Sequence, residues 1–129
     1  MDFTIITPSL NYGRFLRDCL ASVAEQKGVL LEHRVFDGGS TDNSARIASE
    51  FSDVIWSQGP DLGMSDAINK GFDVAKGDWI LWLNADDRLK PGALAAMMQY
   101  LHKSTADVVY GDYDFVDDSG QQLRRMKVP

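Results

Sequence analysis

The chain has 129 residues, 44% of them hydrophobic and 25% charged, with a formal net charge of −6. That length fits one domain with a single core, and the composition is ordinary for a globular protein. The acidic balance excludes a nucleic-acid backbone or an anionic membrane as the main partner, and a lone cysteine, Cys19, excludes an internal disulfide. Cys19 falls in a helical pattern and is expected to be a small core residue in a reducing compartment. No apolar run approaches membrane-spanning length, and the N-terminus lacks the basic and long apolar regions of a signal peptide. A cytoplasmic location is expected.

Phe3-Thr4-Ile5-Ile6-Thr7 is a short β-branched run halted by Pro8 and predicts a first strand. Asn11 and Gly13 make a loop, after which Phe15, Leu16, Cys19, Leu20 and Val23 recur at helical spacing until Gly28. Leu30 to Phe36 is a second strand, and its polar Glu32-His33-Arg34 centre places it toward a sheet edge. The turn-rich stretch Asp37 to Ser44 ends in N-cap candidates for a short helix over Ser44 to Phe51. Val54-Ile55-Trp56 makes a third strand, and Gln58 to Gly63 is a loop of punctuating residues. Ala67, Ile68, Gly71, Phe72 and Ala75 mark the next helix, capped by Lys76-Gly77.

Trp79 to Leu83 is apolar without alternation, as suits a strand covered on both faces, with Trp79 and Trp82 in the core. Pro91, Leu94, Met97, Met98 and Leu101 give a fourth helix. Asp107 to Tyr110 is another strand. Tyr113 to Val116, a turn at Asp117-Asp118-Ser119-Gly120, and Gln122 to Val128 predict a hairpin. The alternation of strands and helices predicts an α/β fold, with a right-handed, mostly parallel sheet, helices on both faces and a C-terminal β-hairpin.

In such a sheet the loops that follow parallel strands gather along one edge, where ligands bind. Three of these loops are unusually polar: Thr7-Pro8-Ser9-Leu10-Asn11, Asp37-Gly38-Gly39-Ser40, and Asn84-Ala85-Asp86-Asp87. The adjacent carboxylates Asp86 and Asp87 either start the turn toward Pro91 or hold a hard divalent cation that relieves their repulsion. Asp37 either caps the Gly-Gly turn or accepts hydrogen bonds from a base or ribose. Gly38-Gly39 matches neither a Walker loop nor the Rossmann spacing. His33 and His102 are isolated from metal-ligand partners, and Lys70 and Arg88 fit solvated surface charges.

The order and spacing of several segments carry a resemblance over nearly the whole chain. They are Thr4 to Asn11, Val35 to Asp42, Ser65-Asp66-Ala67-Ile68-Asn69-Lys70-Gly71, Ala75 to Asp87, and Val109-Tyr110-Gly111-Asp112. Together they resemble the N-terminal half of family 2 glycosyltransferases. The resemblance implies a Rossmann-like GT-A fold over residues 1–129 that binds a nucleotide-diphosphate sugar. The implied reaction is inverting transfer of the sugar to a hydroxyl acceptor, a saccharide or glycolipid, in polysaccharide or glycolipid synthesis. By the same resemblance Thr7 and Pro8 line the base and ribose pocket, Asp37 makes a polar contact to the nucleotide, Asp86 lies near the ribose, and Asp87 ligates Mn²⁺ or Mg²⁺.

Two departures accompany it. Many members carry two acids where this chain has Asp37-Gly38, and Asp66 is the candidate to supply the second contact. Its other reading is a helix N-terminal acid favoured by the macrodipole. Asn84 stands where many members have another acid. The general base of inverting members comes from an acceptor-binding half, expected to follow Pro129; Asp112 is not assigned that role. The alternative reading is a non-catalytic nucleotide-binding or assembly module. The hairpin from Tyr113 to Val128 presents an edge that invites a homodimer. A phosphoacceptor receiver domain is disfavoured because the first strand ends in Thr7-Pro8 and not in an acidic pair.

Overall fold

The computed structural model describes residues 1–129. In chain order the elements are β1 (Phe3–Ser9), α1 (Gly13–Ala24), β2 (Leu31–Asp37), α2 (Ser44–Ala48), β3 (Val54–Gln58), α3 (Met64–Val74), β4 (Trp79–Trp82), α4 (Ala93–Leu101), β5 (Tyr113–Val116) and β6 (Gln122–Met126). The chain divides into two compact units, Met1–Ala96 and Met97–Pro129, with the division inside α4. No helix is long and apolar enough to cross a membrane.

The first unit is a four-stranded sheet in the order β3-β2-β1-β4, parallel throughout. Because parallel partners share a face, Ile5, Thr7, His33, Val35 and Trp56 point one way and Thr4, Ile6, Glu32 and Arg34 the other. On the first face Leu16 and Leu20 of α1 meet Val35, Ile47, Ala48 and Ala85. Each of these fully buried leucines contributes about 2 kcal/mol of transfer free energy. Cys19 is buried in the same helix, as its spacing predicts. On the second face α3 buries Ala67, Ile68 and Gly71, and Gly71 lies directly over Ile6. The result is a doubly wound α/β layer.

Four expectations about strands need correction. β1 is not halted by Pro8 but runs on to Ser9, because beyond Ile6 it is paired with β2 alone and a proline is tolerated where one side of the strand is open. β2 lies inside the sheet and not toward an edge, because its polar residues are matched internally. Glu32 Oε1 accepts hydrogen bonds from Thr4 Oγ1 at 2.8 Å and from Lys76 N–H at 3.0 Å, and Glu32 Oε2 pairs with Arg34 at 3.0 Å. Burial alone would raise the Glu32 pKa, but the bonds from Arg34, Thr4 and Lys76 outweigh it and hold the carboxyl below its usual range. β4, by contrast, is an edge strand with Ile80 41% and Trp82 49% exposed, so it is not covered on both faces and Trp82 is not a core residue. Asp107 to Tyr110 forms no strand, and Val108 and Tyr110 are largely exposed. A β-branched run still needs a ladder partner, and this one has none.

In the second unit β5 and β6 form the predicted antiparallel hairpin, with Asp114 paired to Arg125 and the Arg124 guanidinium over Phe115. Asp112 Oδ1 accepts a hydrogen bond from Val128 N–H at 3.0 Å.

His33 gives the first unit a defined acid sensitivity. Its Nε2 shares a 2.8 Å hydrogen bond with Thr7 Oγ1, and its Nδ1 is buried without a partner. Burial lowers its pKa from 6.5 to about 4, so the ring is neutral in the fold. An unfolded chain takes up the proton below pH 6.5 while the folded chain resists it until about pH 4. Stability present above the unfolded value is therefore lost as pH falls across that window, by on the order of 3 kcal/mol. Urea unfolding between about pH 7 and about pH 4.5 should show this decline, and His33→Gln should flatten it. Equal slopes in both proteins would assign the decline to other groups.

Candidate active site

The register of the sheet brings the three polar loops to one rim. Ser9, Asp37 and Gln58 are lateral neighbours at the carboxyl ends of β1, β2 and β3. Gly38 N–H donates to Ser9 O, Gly59 N–H to Asp37 O and Leu83 N–H to Ile6 O, each at 2.9–3.0 Å, so all the exits are laced together. Side chains continue the lacing. Asn11 N–H donates to Ser40 Oγ at 2.8 Å, and Thr41 N–H donates to Asn11 Oδ1 at 2.9 Å. Asp42 Oδ2 accepts from Gly13 N–H at 2.9 Å, which caps α1 from the neighbouring loop, since Tyr12 makes no side-chain cap of its own. The Ser44 hydroxyl, more than the Gly13 N–H, holds the Asp42 carboxyl below its usual range.

At the tip of β2, Asp37 is 2% exposed. Its Oδ1 accepts from Gly39 N–H at 2.9 Å and Ser40 N–H at 2.6 Å, and its Oδ2 accepts from the Ser40 hydroxyl at 2.5 Å. The capping role of Asp37 is thus directly visible. Of the two glycines only Gly39 takes a positive φ, 106°.

Thr7 and Pro8 are both buried, and the Thr7 hydroxyl turns inward to His33. Beneath the acidic loop, the Cys19 thiol donates to Asn84 O at 3.5 Å. Burial pushes that thiol up to about 12, against a hydrogen bond with Thr7, so it stays protonated and unreactive.

Asp86 and Asp87 are exposed at the end of the β4 segment. Asp87 N–H donates to Asn84 O at 3.0 Å, closing a tight turn. Partial burial first, and the neighbouring Asp86 second, push the Asp87 carboxyl above its ordinary value, while a hydrogen bond from the Asn84 side chain pulls it back. The Asn84 amide is itself oriented, because Trp82 Nε1–H donates to its Oδ1 at 2.8 Å. Sequence reasoning missed this role. Asn84 appeared only as an absent acid, although a neutral amide can accept from one donor, the Trp82 indole, and donate to one carboxylate, Asp87.

Asp66 sits in the first turn of α3. Its Oδ2 accepts from Leu62 N–H at 3.0 Å and pairs with Lys70 at 3.0 Å, and these contacts lower its pKa, the Leu62 bond most. Asp61, which the sequence reading passed over, lies with its carboxylate against Gly38. No group of three or more His, Cys, Asp or Glu side chains is assembled to hold a metal alone. An ion at Asp86-Asp87 would complete its shell with ligand oxygens and water, as Mg²⁺ and similar cations do.

Comparison with known proteins joins this geometry to a family. The model for glycosyl transferase family 2 matches residues 4–128. The chain belongs to glycosyl transferase family 2. A relative named PGL/p-HBAD biosynthesis glycosyltransferase from Mycobacterium tuberculosis is 39% identical over 117 residues, which are 85% of this chain and 46% of that protein. The family 2 chain therefore spans about half the length of such relatives. Among solved structures, S. aureus TarS 1-349 in complex with UDP-GlcNAc superposes with a TM-score of 0.76 at 24% identity, covering 80% of this chain and 32% of that one. The mannosyltransferase PcManGT from Pyrobaculum calidifontis in complex with GDP-Man and Mn²⁺ gives 0.71 at 22%, covering 85% and 34%. The fold of this family 2 chain is accordingly GT-A.

Proposed function

We propose that the chain is the donor-binding half of a metal-dependent, inverting glycosyltransferase. It would move a sugar from a nucleotide-diphosphate donor to a hydroxyl acceptor in polysaccharide or glycolipid synthesis. The observation that carries this reading is the meeting of three crossover-separated loops at one rim, with two adjacent carboxylates at the end of one of them. Family membership supports glycosyl transfer. The structures of TarS in complex with UDP-GlcNAc and of PcManGT in complex with GDP-Man and Mn²⁺ support a nucleotide-sugar donor and a divalent ion.

Asp87 is the metal ligand, for Mn²⁺ or Mg²⁺, and Asp86 lies toward the ribose. A divalent ion held there by Asp87 would neutralise charge on the diphosphate as it leaves. Asn84 holds the Asp87 carboxylate in one orientation. Thr7 and Pro8 form the floor under the base and ribose, and Asp37 keeps the Gly38–Ser40 turn in shape against the nucleotide. Asp66 fixes the entry to α3. No carboxylate of the rim is proposed as the base that deprotonates the acceptor. The open edges of the β5–β6 hairpin are where a second copy would pair.

Titration of nucleoside diphosphates into the chain tests the reading. Binding should require Mn²⁺ or Mg²⁺ and fall sharply in chelator; affinity indifferent to the cation would remove the metal assignment. Adding the nucleotide sugar with water as acceptor then separates two classes. Donor hydrolysis favours an enzyme, whereas binding without turnover favours a nucleotide-binding or assembly module.

A further inference from the structure

Asp37 at the tip of β2, Asp61 in the loop after β3 and Asp66 in the first turn of α3 are three carboxylates of neighbouring segments, and Asp37 and Asp66 are satisfied within their own. Asp37 accepts from the Gly39 and Ser40 backbone and the Ser40 hydroxyl. Asp66 accepts from Leu62 N–H and pairs with Lys70. Asp61 differs. Gly63 N–H at 2.9 Å fixes its Oδ1, while its Oδ2 stands over the bare Cα of Gly38. A side chain at position 38 would begin 3.0 Å from Asp61 Oδ2 and 3.3 Å from Oδ1. The Asp61 carboxylate therefore fills the space that glycine leaves open there. The bond from Gly59 N–H to Asp37 O draws the loop after β3 across the tip of β2, and Asp61 keeps part of its surface exposed.

We propose that Asp61 reads the base of the nucleotide, its Oδ2 accepting the imide N–H of uracil; this rests on the nucleotide-binding reading above. An ionised carboxylate only accepts hydrogen bonds. With Oδ1 held by the backbone, it offers one acceptor to a ligand. A single N–H between two carbonyls, as in uracil, matches that offer better than the paired donors of guanine, which call for both oxygens. Cytosine has the same size but an unprotonated N3, so it sets a lone pair against the carboxylate. Partial burial strengthens the attraction in one case and the penalty in the other. The acid that position 38 lacks is thereby supplied by the next loop along the rim.

Calorimetry of UDP and CDP on the 129-residue chain with Mn²⁺ tests the assignment. The unaltered chain should bind UDP about tenfold to a hundredfold more tightly than CDP. In Asp61→Asn the amide oxygen keeps the bond from Gly63 N–H and the NH₂ turns toward Gly38. The UDP preference should then collapse or invert. Gly38→Ala displaces the carboxylate by a few tenths of an ångström and keeps its charge; it should weaken UDP without gaining CDP. A ratio near one in the unaltered chain overturns the role of Asp61 and leaves the nucleotide reading intact. So does a ratio unmoved in Asp61→Asn, including equal loss of both ligands. Failure of the unaltered chain to bind either nucleotide overturns both readings.

Discussion

Asp87→Ala is expected to abolish the cation-dependent part of nucleoside diphosphate binding. Loss of partners around a metal's ligands typically costs roughly 10- to 100-fold in affinity, so loss of the ligand itself should cost at least about a hundredfold. Asp87, the proposed metal ligand, is held at both its side chain and its backbone. Its carboxylate takes the Asn84 hydrogen bond, and its backbone N–H closes the turn on Asn84 O. Burial and the charge of Asp86 also push its pKa up. A proton and a cation compete for the same oxygens, so cation affinity should fall with decreasing pH from a higher pH than an ordinary aspartate would set. Asp53→Ala removes the same charge from an exposed position away from the rim and controls for net charge. If Asp87→Ala binds nucleotide with the Mn²⁺ dependence of the unaltered chain, the metal site lies elsewhere.

Gly77→Ala should be among the most destabilising single methyl additions in the first unit. A Cβ at Gly77 would lie 2.3 Å from Thr4 N and 2.4 Å from Phe3 C, both backbone atoms of a strand paired on each side. No rotamer change can clear a backbone clash, so the cost should reach about 3 kcal/mol or more, the upper end of overpacking. The substitution also strains a polar node. Gly77 N–H and Lys76 N–H both donate to Thr4 Oγ1, at 2.9 and 3.1 Å, and Lys76 N–H also reaches Glu32. Opening that node would leave Glu32 buried with fewer partners. Gly59→Ala is the matched control, with nothing within 4 Å of the added methyl. Urea denaturation should find the control close to the parent and Gly77→Ala far below it. Equal midpoints for Gly77→Ala and the parent would mean that β1 and the exit of α3 yield more freely than their hydrogen bonds suggest.

Local pattern carried much of the architecture. The β-branched run from Phe3 and the helical spacing of Leu16, Cys19, Leu20 and Val23 are short-range signals, and both elements form, although β1 runs on through Pro8 to Ser9. Strand order is a different kind of information. Glu32, His33 and Arg34 look like edge residues until Thr4, Thr7 and the Lys76 backbone arrive from distant segments to match them. The apolar run at Trp79 gives its own hydrophobicity but not how many neighbours it has, and so Trp82 was misplaced. The rim divides in the same way. Asp86 and Asp87 are legible because they follow an apolar strand without a break. The interior fate of the Thr7 hydroxyl, the orienting role of Asn84 and the approach of Asp61 to Gly38 depend on side chains meeting across loops. The clue to Asp61 was an absence, a glycine where an acid was expected.

The Trp82–Asn84 bond also makes the rim self-reporting. Half of the indole faces solvent while its N–H is tied to the amide that steadies Asp87. Anything that reorients that amide must alter the polarity around a fluorophore already present in the chain. Changes at the acidic turn can therefore be followed by intrinsic emission, without a dye, a tag or a catalytic turnover.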